Sequence, residues 1–404
     1  VRLYRLLNQK YHTGFTEFDA HIAQLKAGAF PELDRLKEAL QETNLRPRLC
    51  SLLEYLALLK ELILSPKKFE SREDIYKKRH FTIDIPSMYG SYHEMKFDAL
   101  GLTFRIEALV NVLFEELIEN IDLSLITKAT FHQIYARLQL FNMALDIDGI
   151  SSVEFQRQLD FLASSLEVRG FTLTQYLDIF KGFTRAVQNI ISDYFTSVYD
   201  RNLSRIVCKI PSDELLPKFL PKEGIEDQEN MKHRVSEIFF CERIALSLGL
   251  QQLDNFLTRI LNTLFKQSNK LSKENLYLLL LYDPKNAIKR IDDESEDVSG
   301  IVYLGNKGLN MVQLYKIGLP VPPGFIITTE VFRIQKILAK YPPAMENFRE
   351  KIVGQLRYIE KETGKCFGNP KNPLIFSVRS GSSISQPGMM DTFLNVMINE
   401  DIAE

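Results

Sequence analysis

Through residues 1–282 the apolar positions recur at helical spacing. Leu49, Leu52, Leu53, Leu56, Leu59 and Ile63 fall on one helical face, and Pro66 ends the segment. Ile106, Leu109, Val110, Leu113 and Leu117 repeat the pattern. Tyr176, Phe180, Phe183, Val187, Ile190 and Tyr194 do so over a longer helix, with Thr172 or Thr174 as its N-terminal cap. Leu253, Phe256, Leu257, Ile260 and Leu264 form a further helix after a break at Gly249. Short strands are admissible only at 81–85 and 206–210. No fixed-period repeat occurs, so the pattern predicts an irregular helical domain rather than a solenoid.

Three stretches interrupt this texture. Residues 79–104 mix Pro86, Gly90 and Gly101 with aromatics and predict a long loop over the helical core. His93, Glu94 and Asp98 lie in it, but the second histidine of a zincin helix is missing. That leaves a polar loop or a binding surface. Asp146, Asp148 and Gly149 lack the register of a calcium loop and read as a helix end with a glycine stop. Residues 292–297 read DDESED, a run that repels itself and stays solvated. It marks 283–300 as an acidic linker between domains, with a short acidic helix face as the alternative.

After Gly300 the pattern becomes α/β. It predicts a strand at 301–304, a helix at 309–317 closed by Gly318, and a strand at 325–328. Helices follow at 330–340 and 345–361, parted by Tyr341, Pro342 and Pro343. A loop at 363–373 leads to strands at 374–378 and 392–398. The expected fold class is therefore multidomain: a mainly α helical domain over 1–282, then an α/β region over 301–404.

Composition narrows the picture only slightly. The chain has 404 residues, room for two or three domains at ~150 residues each. A net charge of −2 gives no sign of nucleic acid or a membrane surface as partner. The apolar run at 276–282 is too short to span a bilayer, and no signal peptide is expected. Cys50, Cys208, Cys241 and Cys366 are far apart and form no CxxC pair, which predicts buried, reduced thiols and a cytoplasmic setting. The chain begins with Val1 rather than Met, and the expectation is a piece of a longer protein.

The candidate chemistry lies in two stretches. Arg379 ends an apolar strand and is followed by Ser380, Gly381, Ser382 and Ser383. A planar guanidinium grips phosphate oxygens in bidentate fashion, and small residues let backbone N–H groups turn toward an anion. Gly388, Asp391 and Thr392 would close the loop that follows. Upstream, YLGNKG places Lys307 between glycines at a helix start, within reach of a phosphate. Alone, Lys307 reads as a solvated turn lysine, and Arg379 serves equally as half of a structural ion pair. No GxxxxGK[ST] and no GxGxxG occurs, which removes support for P-loop, Rossmann and kinase folds.

The segments LGNKGLNMVQLYKIGLPVPPGFIITTE and SVRSGSSISQPGMMDTFLN resemble the pyruvate phosphate dikinase and phosphoenolpyruvate synthase family. The glycine–lysine loop, the Gly-Leu-Pro-Val-Pro-Pro-Gly-Phe turn, the Ser-Val-Arg-Ser-Gly strand and the Pro-Gly-Met-Met-Asp-Thr loop occur in that order. The last loop is closer to the dikinase branch. The resemblance runs from roughly Asp297 to the end, about a quarter of the chain. It implies that 301–404 is the first part of an ATP-grasp nucleotide-binding domain. It further implies that Lys307, Arg379, Gly381, Ser382, Ser383, Gly388, Asp391 and Thr392 bind ATP, with Mg2+ as cofactor. In the family the phosphoryl group passes to a histidine on a separate domain and then to a pyruvate or phosphoenolpyruvate site. None of the six histidines here lies in a matching motif, and no metal ligands are expected in this chain.

The helical part has no counterpart in that resemblance, and its role stays open, as does assembly into a homo-oligomer. Asn306 stands where the family has a second glycine, which leaves the loop less free to take positive φ. This favours an alternative: a non-catalytic regulatory or interaction protein with a degenerate nucleotide-binding lobe. A kinase of another acceptor is a third reading, opposed by the Pro-Gly-Met-Met-Asp-Thr loop.

Overall fold

The computed structural model describes residues 22, 25, 30–70, 72–79, 86–168, 170–207, 209, 228–293, 295, 298–381, 391–396 and 398. Their architecture is mainly helical with a few short strands. The first helices are α1 (Leu33–Gln41) and α2 (Leu45–Leu64), followed by an antiparallel ribbon of β1 (Arg72–Arg79) and β2 (Pro86–His93). Then come α3 (Met95–Glu119), α4 (Lys128–Ile147), α5 (Val153–Glu167) and α6 (Leu173–Ile191), which runs through a π-turn into α7 (Ser197–Val207). Helices α8 (Gln228–Leu246), α9 (Leu250–Lys270) and α10 (Lys273–Leu281) complete the helical region.

The chain clusters into two compact units. One comprises Val1–Ile121, Ile134–Ala163 and Ile179–Arg259; the other comprises Asp122–Gln133, Ser164–Asp178 and Ile260–Glu404. Most of the apolar stripe positions read in the sequence are buried, although Ile63 is half-buried and Tyr194 is exposed. Leu49, Leu52, Leu53, Leu56 and Leu59 are each fully buried on α2. Phe114 stacks on Phe141 at 4.4 Å between centroids, and Phe155 meets Phe183 edge-on at 5.1 Å. Such pairs contribute roughly 0.5–1.5 kcal/mol beyond their burial.

Polar groups close the helix ends around this core. Arg137 Nε donates to the Leu117 carbonyl at 3.0 Å, and Arg259 Nη1 to that of Ile118 at 2.7 Å. Both cations sit at the negative end of α3, where the helix dipole favours them. At the start of α9, Asp148 Oδ2 accepts from Leu248 N at 2.7 Å and Asn111 Oδ1 from Gly249 N at 2.8 Å. Gly249 has φ +74°, and a Cβ there would lie 3.0 Å from the Phe114 ring, so the position requires glycine. Asp148 is thus a capping ligand beside the glycine stop at Gly149, whose φ is +77°.

In the second unit Thr172 Oγ1 accepts from Gln175 N at 3.4 Å while Gln175 Oε1 accepts from Thr172 N at 2.8 Å. This reciprocal capping box selects Thr172 over Thr174 as the cap of α6. After a 3-10 turn come β3 (Ile288–Arg290), α11 (Ile301–Lys316) and β4 (Phe325–Ile327). Next are α12 (Thr329–Arg333), α13 (Gln335–Lys340) and α14 (Pro342–Thr363), and the described chain ends with β5 (Phe376–Arg379) and β6 (Thr392–Val396). Strands β3 and β4 pair antiparallel, as do β5 and β6. Leu279, Tyr282, Val331, Ile334, Ile337 and Tyr341 pack one apolar cluster; Val298, Leu304 and Val312 form a smaller one beneath α11.

Four expectations need correction. Residues 301–304 are the first turn of α11, not a strand: Tyr303 N and Leu304 N both donate to the Gly300 carbonyl. A four-residue apolar run fits one helical turn as well as a strand, and Gly300, at φ +94°, turns the chain into the helix. Residues 79–104 are not one long loop, since they include β2 and the start of α3. Glu94, at the N-cap, accepts from Phe97 N at 3.1 Å, and Gly101 is carried inside the helix. Residues 206 and 207 belong to α7, while 81–85 lie outside the described residues. Of the cysteines, Cys241 and Cys366 are exposed rather than buried, Cys50 is half-buried, and Cys208 lies outside the described residues.

The acidic stretch is not uniformly solvated. Lys289 in β3 is only 3% exposed, and its Nζ reaches Ser295 Oγ at 2.8 Å and Asp293 Oδ2 at 3.2 Å. Asp292 accepts from the Tyr358 hydroxyl and pairs with Arg290 at 3.3 Å. A buried ammonium is tolerated only when its donors are satisfied, and Asp293 and Ser295 satisfy this one.

Candidate anion-binding site

Helix α11 contains one break. Gly305 has φ 66° and ψ 171°, and the helix resumes with Asn306 and Lys307. The positive φ falls on glycine, so Asn306 bears no left-handed strain. Gly308 lets the helix approach β4: an added Cβ would stand 3.1 Å from Ile326 Cδ1. Gly318, at φ +80°, ends α11, with its N–H donating to the Tyr315 carbonyl and that of Leu319 to the Leu314 carbonyl.

With α11 so placed, Lys307 Nζ donates to the Ser380 carbonyl at 3.2 Å. A Cβ built on Gly381 would lie 3.8 Å from Lys307 Cβ. Strand β5 ends at Arg379, which pairs with Thr392 across the hairpin. One step further, Ser380 Oγ donates to the Asp391 carbonyl at 3.0 Å. Lys307, Arg379, Gly381, Asp391 and Thr392 are therefore gathered at the loop end of the β5–β6 hairpin, and all five are exposed. Ser382, Ser383 and Gly388 lie outside the described residues. Among the described residues neither Lys307 nor Arg379 forms an ion pair with a carboxylate.

Two cations, a glycine and exposed backbone at one strand end suit the terminal phosphates of a nucleotide. ATP fits the residues present in this limited sense. Among the described residues no group of three histidine, cysteine, aspartate or glutamate side chains could hold a metal ion. A shallow concavity further along α11, lined by Asn310, Gln313, Leu314, Lys316 and Ile317, contains none of the site residues.

Ser380 is the residue that sequence reasoning passed over. In the sequence it is one of several small residues after Arg379, and only the fold reveals its contacts to both Lys307 and Asp391. No spacing rule would have found them, because the two partners lie 73 and 11 positions away.

No helix among the described residues is long and apolar enough to cross a membrane. No family model matches the chain, and no solved structure matches it. Curated sequences do. The pyruvate, phosphate dikinase of Entamoeba histolytica is 43% identical over 107 residues, covering 26% of this chain and 12% of that protein. The chloroplastic pyruvate, phosphate dikinase of Mesembryanthemum crystallinum is 44% identical over 126 residues, 30% of this chain and 13% of that protein. The pyruvate, phosphate dikinase of Rickettsia bellii is 44% identical over 99 residues, 24% of this chain and 11% of that protein. The chain thus spans about an eighth of the length of these relatives. Over 24–30% of its own residues, it is a relative of the pyruvate, phosphate dikinases.

Proposed function

We propose that residues 301–404 are the opening part of an ATP-grasp nucleotide-binding lobe in a dikinase-like phosphotransferase. In this reading Lys307 and Arg379 contact the phosphates of MgATP, and Gly381, Ser382 and Ser383 present backbone N–H groups to them. The loop carrying Gly388, Asp391 and Thr392 lies over the nucleotide. The phosphoryl group then goes to a histidine outside this chain and on to pyruvate or phosphate. Phosphoryl transfer asks for placed positive charge rather than covalent help, which is what this chain would supply. The chain by itself would bind nucleotide weakly and would not turn over. The free thiols of Cys50, Cys241 and Cys366 suit a reducing compartment such as the cytoplasm.

The observation that carries the reading is the approach of Lys307 Nζ to the strand end after Arg379, at 3.2 Å from the Ser380 carbonyl. The dikinase relatives support it, since a match of 107 residues is as long as the segment from Asp297 onward. Gly305, not Asn306, takes the positive φ, which removes the specific reason to prefer a degenerate lobe. Calorimetric titration with MgATP tests the assignment. Arg379→Ala is expected to weaken binding at least tenfold, the loss of about 1.4 kcal/mol of charge-assisted hydrogen bonding. Unchanged affinity removes Arg379 from the site.

A further inference from the structure

The β5–β6 ladder ends at the Arg379–Thr392 pair, yet the hairpin mouth is held one step beyond it. The holding contact is made by a side chain: Ser380 Oγ donates to the Asp391 carbonyl at 3.0 Å. The backbone carbonyl of the same residue receives Lys307 Nζ. One residue therefore joins three things: the strand carrying Arg379, the returning strand that starts at Thr392, and the lysine of α11. We propose that Ser380 is a positioning residue, whose hydroxyl fixes the hairpin mouth so that its own carbonyl holds Lys307 beside Arg379. This rests on the phosphate-binding reading of the site, but part of its test needs no nucleotide.

The physical reasoning is local. Ser380 is exposed, so its hydroxyl bond competes with water and contributes modestly to stability. Its effect is on geometry. Without the hydroxyl the ladder stops at Arg379, and the peptide that follows is free to rotate. The carbonyl at 380 then leaves Lys307, and the ammonium samples positions away from the guanidinium. Alanine at 380 keeps the carbonyl and removes only the tether, whereas threonine keeps the tether.

The first test is acetylation of the nucleotide-free chain by acetic anhydride, read by peptide mass mapping. The rate at Lys307 is compared with that at Lys316, exposed on the same helix. Ser380→Ala is expected to raise the Lys307-to-Lys316 ratio about two- to fivefold, while Ser380→Thr keeps the wild-type ratio. An unchanged ratio in Ser380→Ala overturns the proposal. The second test is the MgATP dissociation constant at unchanged melting temperature. Ser380→Ala is expected to raise it about three- to tenfold and Ser380→Thr to restore it within about twofold. A loss that threonine fails to restore overturns the proposal. A wild-type chain that does not bind MgATP counts against the nucleotide reading, and the acetylation ratio then decides the role of Ser380 alone.

Discussion

Lys307 donates to the carbonyl of Ser380 across 73 positions of chain, which places an ammonium next to the end of the strand that carries Arg379. The contact follows from packing. Gly308 lets α11 lie close to Ile326 of β4, and Gly305 takes the left-handed turn that starts the second part of the helix. A cation is thus delivered to an exposed strand end by apolar contacts, and no carboxylate among the described residues neutralises it there.

Lys289 sets the conformation of the chain just before that helix. Its ammonium is nearly fully buried and satisfied by Ser295 and Asp293. Lys289→Met keeps most of the apolar stem and removes the charge. Urea denaturation is expected to show a loss of about 1–3 kcal/mol, the range for hydrogen bonds to charged groups. A neutral outcome would mean that burying the ammonium costs as much as its bonds return.

Gly249 is required by two independent constraints, its φ of +74° and the Phe114 ring 3.0 Å from where a Cβ would stand. Gly249→Ala should cost about 2–4 kcal/mol, the sum of left-handed strain and overpacking. Chemical denaturation measures it. A cost below about 1 kcal/mol would show that the start of α9 can shift away from Phe114.

Glu107 gives the helical region a pH dependence. Burial, then the nearby Asp148 charge, pushes its carboxyl up to about 7. The folded chain therefore holds a proton that the unfolded chain releases near the ordinary value of 4.5. The stability this confers is complete below 4.5 and declines as pH rises toward 7. The full shift corresponds to ~3 kcal/mol, and partial exposure reduces it to about 1–2 kcal/mol. Glu107→Gln is therefore expected to match the wild type near pH 4.5 and to exceed it by about 1–2 kcal/mol at pH 8. Equal stability at both pH values would show that Glu107 ionises without penalty in the folded chain.

Much of this fold was legible in the residues because its helices are strongly periodic. The leucines of α2 and the aromatics of α6 are buried where the spacing puts them. Short elements were harder. At 301–304 a β-branched run forms a helical turn, because four residues carry no usable period and Gly300 decides the direction. At 79–104 Pro86 and Gly90 suggested a loop, but both fit a two-stranded ribbon, and Gly101 is tolerated inside α3. In the site, the residue types at Lys307 and Arg379 were readable from their glycine and serine neighbours. The Ser380 contacts were not, since they depend on where α11 packs.

The most direct measurement is calorimetric titration of MgATP into the wild-type chain, Lys307→Ala, Arg379→Ala and the double variant. If both cations grip the same phosphates, each single change weakens binding about tenfold or more, and the double variant loses measurably less than the sum of the two. Affinity that is unchanged in either single variant would show that Lys307 and Arg379 do not share one ligand, whereas losses that add fully would show that the two act on it independently.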